Sequence, residues 1–140
     1  LATSDEVVDD ELVEECSKRN ISFFRGSGNN LIHRLLDIAE VEKAGAIIKI
    51  TGDSPFAIPE VIDAMCKLYL DQDLDYVRAI NLPQGVSTEL FSTNYLQKIY
   101  QKLENPLQSE YLGYFVILDS EANKGCVKVN FNNLDPVPSL

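Results

Sequence analysis

"AIIKI", residues 46–50, constrains the fold of this chain more than any other stretch. Three isoleucines and an alanine surround one lysine, without the alternation of a half-exposed strand, and the run is too short for a helix. Such a strand is expected to be buried on both faces, as in a parallel sheet covered by helices. The flanking segments agree. "NNLIHRLLDIAEVEKAG" places Leu31, Ile32, Leu35, Leu36, Ile38 and Ala39 on one helical stripe, with Asn29 or Asn30 to cap its start and Gly45 to end it. "AIPEVIDAMCKLYL" opens another helix with Pro59 in its first turn and Val61, Ile62, Met65, Leu68 and Tyr69 on its packing face.

The same alternation runs along the whole chain. "LATS" reads as the tail of a strand, and "DDELVEECSKRN" as a helix capped by Asp9 or Asp10, with Lys18 and Arg19 at its negative end. "ISFF" (21–24) is a short strand that runs into Arg25-Gly26-Ser27-Gly28. "LDYVRAI" (74–80) is a strand, "NLPQGVS" a loop, "TELF" (88–91) a strand, and "TNYLQKIYQKLEN" a helix capped by Thr93. "SEYLGYFVIL" (109–118) fits a helix better than a strand, and "KGCVKVNF" (124–131) reads as a strand. This order predicts an α/β fold: a mostly parallel sheet, right-handed crossovers, and helices on both faces. Residues 1–140 form one such unit, with no repeat or linker. The start at Leu1 rather than Met and the end in "LDPVPSL" point to a piece of a longer protein, incomplete at both ends.

Charge narrows the function classes. Twelve Lys and Arg against 22 Asp and Glu leave a net charge of −10, too little cationic surface to release counterions from a nucleic acid. A nucleotide is compatible, because backbone N–H groups, a local cation and a metal ion can hold phosphates. No apolar run approaches the roughly 20 residues of a membrane-spanning helix. "LATSDEVVDDE" has no signal-peptide character. Cys16, Cys66 and Cys126 form no CxxC pair, which argues against a zinc site or disulfide framework and for a reducing cytoplasm. Cys16 and Cys66 read as small hydrophobes on helical faces.

In open α/β sheets, ligands sit beyond the carboxyl ends of the strands, which directs attention to "RGSGNN", "TGDSPF" and "NLPQGVSTE". Asp53 lies just past "AIIKI", beside Gly52, which permits close approach of a ligand, and Pro55, which stiffens the turn. One carboxylate there can help hold Mg²⁺ together with substrate phosphates, or can simply cap its own turn. Lys49 inside a buried strand must snorkel or pair. Arg25 and Arg34 can face a phosphate or an acidic sugar, or form surface ion pairs, Arg34 with Asp37 or Glu40 for example. His33 is expected to be exposed. "RGSGNN" lacks the GxxxxGK[ST] and GxGxxG spacings, so its glycines read first as turn formers.

"ATS", "FRGS" followed by "LIHR", "ITGDSPFAIPEVID" and, more weakly, "LPQGVSTELFS" occur in this order over about two-thirds of the chain. Together they resemble the cytidylyltransferase-like family of spore coat polysaccharide biosynthesis protein F, itself similar to CMP-Kdo and acylneuraminate cytidylyltransferases. The resemblance implies a three-layer Rossmann-like nucleotide-diphospho-sugar transferase fold. It implies Mg²⁺-dependent transfer of a cytidylyl group from CTP to a sugar acceptor, for surface or spore-coat polysaccharide, and allows a homodimer. Asp53 falls on the family's metal-associated Asp. Arg25, Ser27, Arg34 and Gly52 fall where the nucleotide is expected, and Ser87 and Glu89 where the acceptor is.

Two features depart from the family pattern. The triphosphate loop, approximately I-x-x-R-x-x-S-x-R-L-P-x-K, does not occur in these residues, and Ser87 replaces an expected Asp while Glu89 is kept. The 140-residue piece alone is therefore expected to be inactive. Two other readings stay open. One is a catalytically degenerate nucleotide- or protein-binding relative, which Ser87 favours. The other is a nucleotide-sugar glycosyltransferase of the same fold, which usually shows two acids in a D-x-D where "TGDSP" has one.

Overall fold

The computed structural model describes residues 1–83, 85–103 and 112–129. Helices and strands follow one another as the patterning predicts: β1 (Ala2–Ser4), a 3-10 turn at Val7–Asp9, α1 (Asp10–Lys18), β2 (Phe24–Gly26), α2 (Leu31–Glu42), β3 (Ala46–Lys49), α3 (Pro59–Gln72), β4 (Tyr76–Ile80), β5 (Glu89–Ser92), α4 (Thr93–Lys102), α5 (Leu112–Leu118) and β6 (Lys124–Lys128). β1 and β2 form a parallel pair in register Ala2 to Phe24 and Ser4 to Gly26. The second sheet has the order β3–β5–β4–β6, and β4 and β6 pair in parallel from Tyr76 with Lys124 to Ile80 with Lys128. The α/β class stands.

The chain divides into two compact units. One comprises Leu1–Ile47 and Phe91–Ala122, and its core is built from Cys16, Ile32, Leu35, Ala39, Phe91, Leu96, Ile99, Leu112 and Val116. Within it α2 packs on α4, each helix contributing the apolar stripe its spacing predicts. The other comprises Ile48–Leu90 and the chain from Asn123, with α3 packed on β4 and β6 around Val61, Met65, Leu74, Val77 and Leu90. Gly125 in β6 is closely packed: a Cβ there would displace Leu74 Cδ1 and lie 3.1 Å from Leu68 Cδ2 of α3.

Several local expectations are corrected. β3 is not buried on both faces: Ala46–Lys49 are each half-buried and Ile50 is 47% exposed. β3 stands at one end of the described strand order, so only one of its edges has a hydrogen-bonded neighbour. The second strand starts at Phe24 rather than Ile21, because its pairing with Ala2–Ser4 selects Phe24–Gly26. α2 ends at Lys43, which takes the left-handed conformation (φ 52°) and donates its N–H to Ala39 and Glu40, so Gly45 is not the terminator. Of the two candidate asparagines, Asn30 caps α2, its Oδ1 accepting from His33 N at 3.1 Å. α4 is capped by Ser92, whose Oγ accepts from Tyr95 N at 3.1 Å, while the Thr93 hydroxyl donates to the Ala44 carbonyl at 2.7 Å. Asp9 precedes α1, but its carboxylate does not cap it. Pro59 opens α3 as expected. Residues 104–111 and 130–131, which hold parts of three predicted elements, lie outside the described residues.

Candidate functional site

In the unit that contains Arg25, Ser27 and Arg34, the polar groups are tied to one another. Arg25 donates from Nε to the Ser4 carbonyl (3.0 Å), from Nη2 to the Glu6 carbonyl (2.9 Å) and from Nη1 to the Asp10 carboxylate (2.7 Å). All three of its nitrogens therefore fasten β2 to the segment that leads from β1 into α1. Asp9 completes the corner: its Oδ2 accepts from the Ser4 hydroxyl (2.5 Å), the Thr3 hydroxyl (2.7 Å) and the Ser4 N–H (2.9 Å). Those donors, the Ser4 hydroxyl foremost, hold its carboxyl at about 2, below the ordinary 3.8. The Ser27 hydroxyl accepts from Asn30 N at 3.1 Å, forming the turn that leads into α2. Arg34 donates from Nη1 to the Ser27 carbonyl at 3.0 Å, while its buried Nε has no partner among the described residues. Asp37 pairs with exposed His33 at 2.7 Å rather than with Arg34.

The other unit presents a different loop. β3 delivers Thr51-Gly52-Asp53-Ser54 into a turn closed by Ser54 N donating to the Thr51 carbonyl at 2.9 Å. The Thr51 hydroxyl donates to Asp53 Oδ1, so the turn-capping reading of Asp53 is realised in part. Asp53 is nevertheless exposed, and among the described residues its Oδ2 has no hydrogen bond or ion pair. A Cβ on Gly52 would meet nothing within 4 Å, so the space above that backbone is open.

Gly85 belongs to the same place. It has φ +84°, its missing Cβ points to within 3.6 Å of the Asp53 carbonyl oxygen, and its own carbonyl accepts from Phe56 N at 3.3 Å. The "TGDSPF" and "NLPQGVSTE" loops are thus brought together, as separate family blocks would need to be. Ser87 lies exposed on the second loop. Glu89 is half-buried and doubly held, by Lys49 Nζ at 2.8 Å on Oε2 and by the Tyr76 hydroxyl at 2.7 Å on Oε1. Lys49 therefore pairs. Burial, with the charge and hydrogen bond of Glu89, pushes the Tyr76 phenol upward and keeps it a neutral donor.

A divalent cation fits the donors here in one way. Among the described residues no group of three or more His, Cys, Asp or Glu side chains could form a closed metal cage. Mg²⁺, however, usually keeps waters and takes one or two carboxylates plus substrate phosphates, and an exposed Asp53 with a free oxygen matches that demand.

Sequence reasoning passed over Tyr76 and Thr51. An aromatic in a strand reads as packing, and the partner of Tyr76 is 13 residues away, so no local signal marked it. Thr51 was detectable, since a hydroxyl two residues before an Asp is a common turn pairing. The three cysteines are free; Cys16 is buried, Cys66 half-buried and Cys126 exposed. No helix among the described residues is long and apolar enough to cross a membrane.

Comparison with known proteins bears on the family and the fold. A family profile described as cytidylyltransferase matches residues 1–122. Over 116 residues the chain is 37% identical to spore coat polysaccharide biosynthesis protein SpsF of Bacillus subtilis (strain 168), covering 81% of this chain and 48% of that protein. It is 28% identical over 116 residues to an uncharacterized protein of Methanocaldococcus jannaschii, covering 83% and 48%. The chain thus spans about half the length of the curated relatives it matches. Among solved structures, a cytidylyltransferase from Leptospira borgpetersenii superposes with a TM-score of 0.84 at 27% identity, over 91% of this chain and 56% of the other. CMP:2-keto-3-deoxy-manno-octonic acid synthetase, complexed with CTP, gives a TM-score of 0.68 at 16% identity over 91% and 70%, a likeness of fold.

Proposed function

The chain belongs to the cytidylyltransferase family, and from that premise we propose that the protein carrying it transfers a cytidylyl group from CTP to a sugar acceptor used for surface or spore-coat polysaccharide. The acceptor oxygen forms a bond to the α-phosphorus, the bond between the α-phosphorus and the bridging oxygen breaks, pyrophosphate leaves, and the acceptor's proton passes to solvent. The observation that carries the reading is the exposed, half-free carboxylate of Asp53, with Gly85 against its backbone.

Asp53 is the residue that would hold Mg²⁺. The ion, when bound, supplies neutralisation of the charge that develops on the phosphates. The chain's own part is to orient. Gly52 leaves its backbone open to a phosphate, and Ser87 offers a hydroxyl to the acceptor. Within its own unit, Arg25 fastens β2 to the segment between β1 and α1, and Ser27 forms the turn that leads into α2.

The whole protein, given CTP, Mg²⁺ and a panel of sugar acids, is expected to release pyrophosphate, and Asp53→Ala is expected to abolish that release. Robust turnover by the variant removes Asp53 from the mechanism. Ser87 supports a second reading, a relative that binds nucleotide without catalysis, because a hydroxyl stands where the family has a carboxylate. Calorimetric CTP binding with no turnover across the panel would select it.

A further inference from the structure

Lys49, Glu89 and Tyr76 lie on three adjacent strands, β3, β5 and β4, with Glu89 on the middle one. Each carboxylate oxygen is held from a different side: Oε2 by the Lys49 ammonium at 2.8 Å, Oε1 by the Tyr76 hydroxyl at 2.7 Å. The lysine and glutamate side chains are only 15% and 22% exposed, and Tyr76 is buried, so these bonds are largely sheltered from water. The next residue, Leu90, points into the core at 1% exposure. A slip of one residue in β5 would turn the carboxylate to the opposite face, away from Lys49 and Tyr76 and into the core. Glu89 pins the register of its strand against both neighbours.

That register has a consequence at the loop. Only four positions upstream of Glu89, Gly85 lies beside the Asp53 carbonyl, and its own carbonyl receives the Phe56 N–H. Between them Thr88 is buried, its hydroxyl against Met65 Sδ at 3.3 Å, so the connection has little slack. We propose that Glu89 acts on the nucleotide site through the sheet rather than by touching ligand: Lys49 and Tyr76 hold it, it fixes β5, and β5 sets where the Gly85–Ser87 loop meets Asp53. Lys49, Tyr76 and Glu89 are then positioning residues, and Asp53 is the carboxylate left to a metal ion. The effect on ligand rests on the nucleotidyl-transfer reading; the lock itself does not.

The test uses the whole protein and two readouts. Urea unfolding of Lys49→Met, Glu89→Leu and the double variant reads the lock. The double is expected to lose less midpoint than the two singles summed, and strictly additive losses overturn the lock. If Glu89→Leu fails to fold, Glu89→Gln, which keeps the shape and an acceptor for Tyr76, closes the same cycle. Calorimetry with CTP and Mg²⁺ reads the positioning. Glu89→Leu, Tyr76→Phe and Lys49→Met are each expected to weaken binding about threefold to tenfold, and Lys49→Arg to match the parent. Parent-like binding by Tyr76→Phe and Lys49→Met beside weak binding by Glu89→Leu means that Glu89 touches the ligand, and overturns the proposal. A parent that binds no CTP overturns the functional reading instead, while the unfolding cycle still decides the lock.

Discussion

Two loops of this chain follow a short strand and contain glycine, yet they commit their polar groups differently. At the first, Arg25 within β2 gives all three nitrogens to the protein, the Ser27 hydroxyl is used by Asn30, and Arg34 holds the Ser27 carbonyl. After β3, Gly52 faces open space, Phe56 is 73% exposed, and Asp53 keeps one oxygen without a partner among the described residues. The first loop is a fastening and the second is an offer. A group already saturated by internal hydrogen bonds must break them to bind a ligand, whereas an exposed carboxylate exchanges only water.

Four measurements bear on that contrast. The largest effect is expected on catalysis. Asp53→Ala should lower pyrophosphate release by the whole protein about a hundredfold or more, the loss of several kcal/mol of charge stabilisation, with unfolding free energy changed by no more than about 0.5 kcal/mol. A large loss of stability instead would make the second loop a fastening too. Next comes Arg25→Ala, which removes three bonds at once; about 2–4 kcal/mol of stability should disappear in urea unfolding. A negligible change would show that the corner is held without it.

The third effect concerns acid. The Asp9 carboxyl is held at about 2 in the folded chain against 3.8 unfolded. The unfolded state therefore takes up the proton first as pH falls, and the stability Asp9 contributes is complete above about 4 and lost on descent toward 2. Asp9→Asn should flatten the fall of the unfolding midpoint between those values, and an unchanged slope would remove the corner from the acid response. The smallest effect is expected at Gly52→Ala. With open space at the Cβ position, stability should stay within about 0.5 kcal/mol or rise slightly, while CTP affinity falls if the backbone there must approach a phosphate.

Legibility followed distance along the chain. The helical stripe of α2, the Asn30 cap and Pro59 at the head of α3 were readable because each depends on residues within about a turn of one another. The placement of Asp53 on an exposed turn after β3 was readable for the same reason. Burial of β3 was misjudged, because an unbroken apolar run says that a strand can be covered, not that a neighbour covers it.

The amino-acid order by itself determined which segments are helix and strand, which faces are apolar, and that one carboxylate follows the isoleucine-rich strand, since backbone period and local capping are written in neighbouring residues. Tertiary structure alone decided that Lys49 meets Glu89 from 40 residues away, that Tyr76 takes the other oxygen, and that Arg25 reaches Asp10 across 15 residues. Those partnerships follow from strand order and pairing, and side chains of opposite charge are common enough along a chain that only the sheet's geometry selects which of them meet.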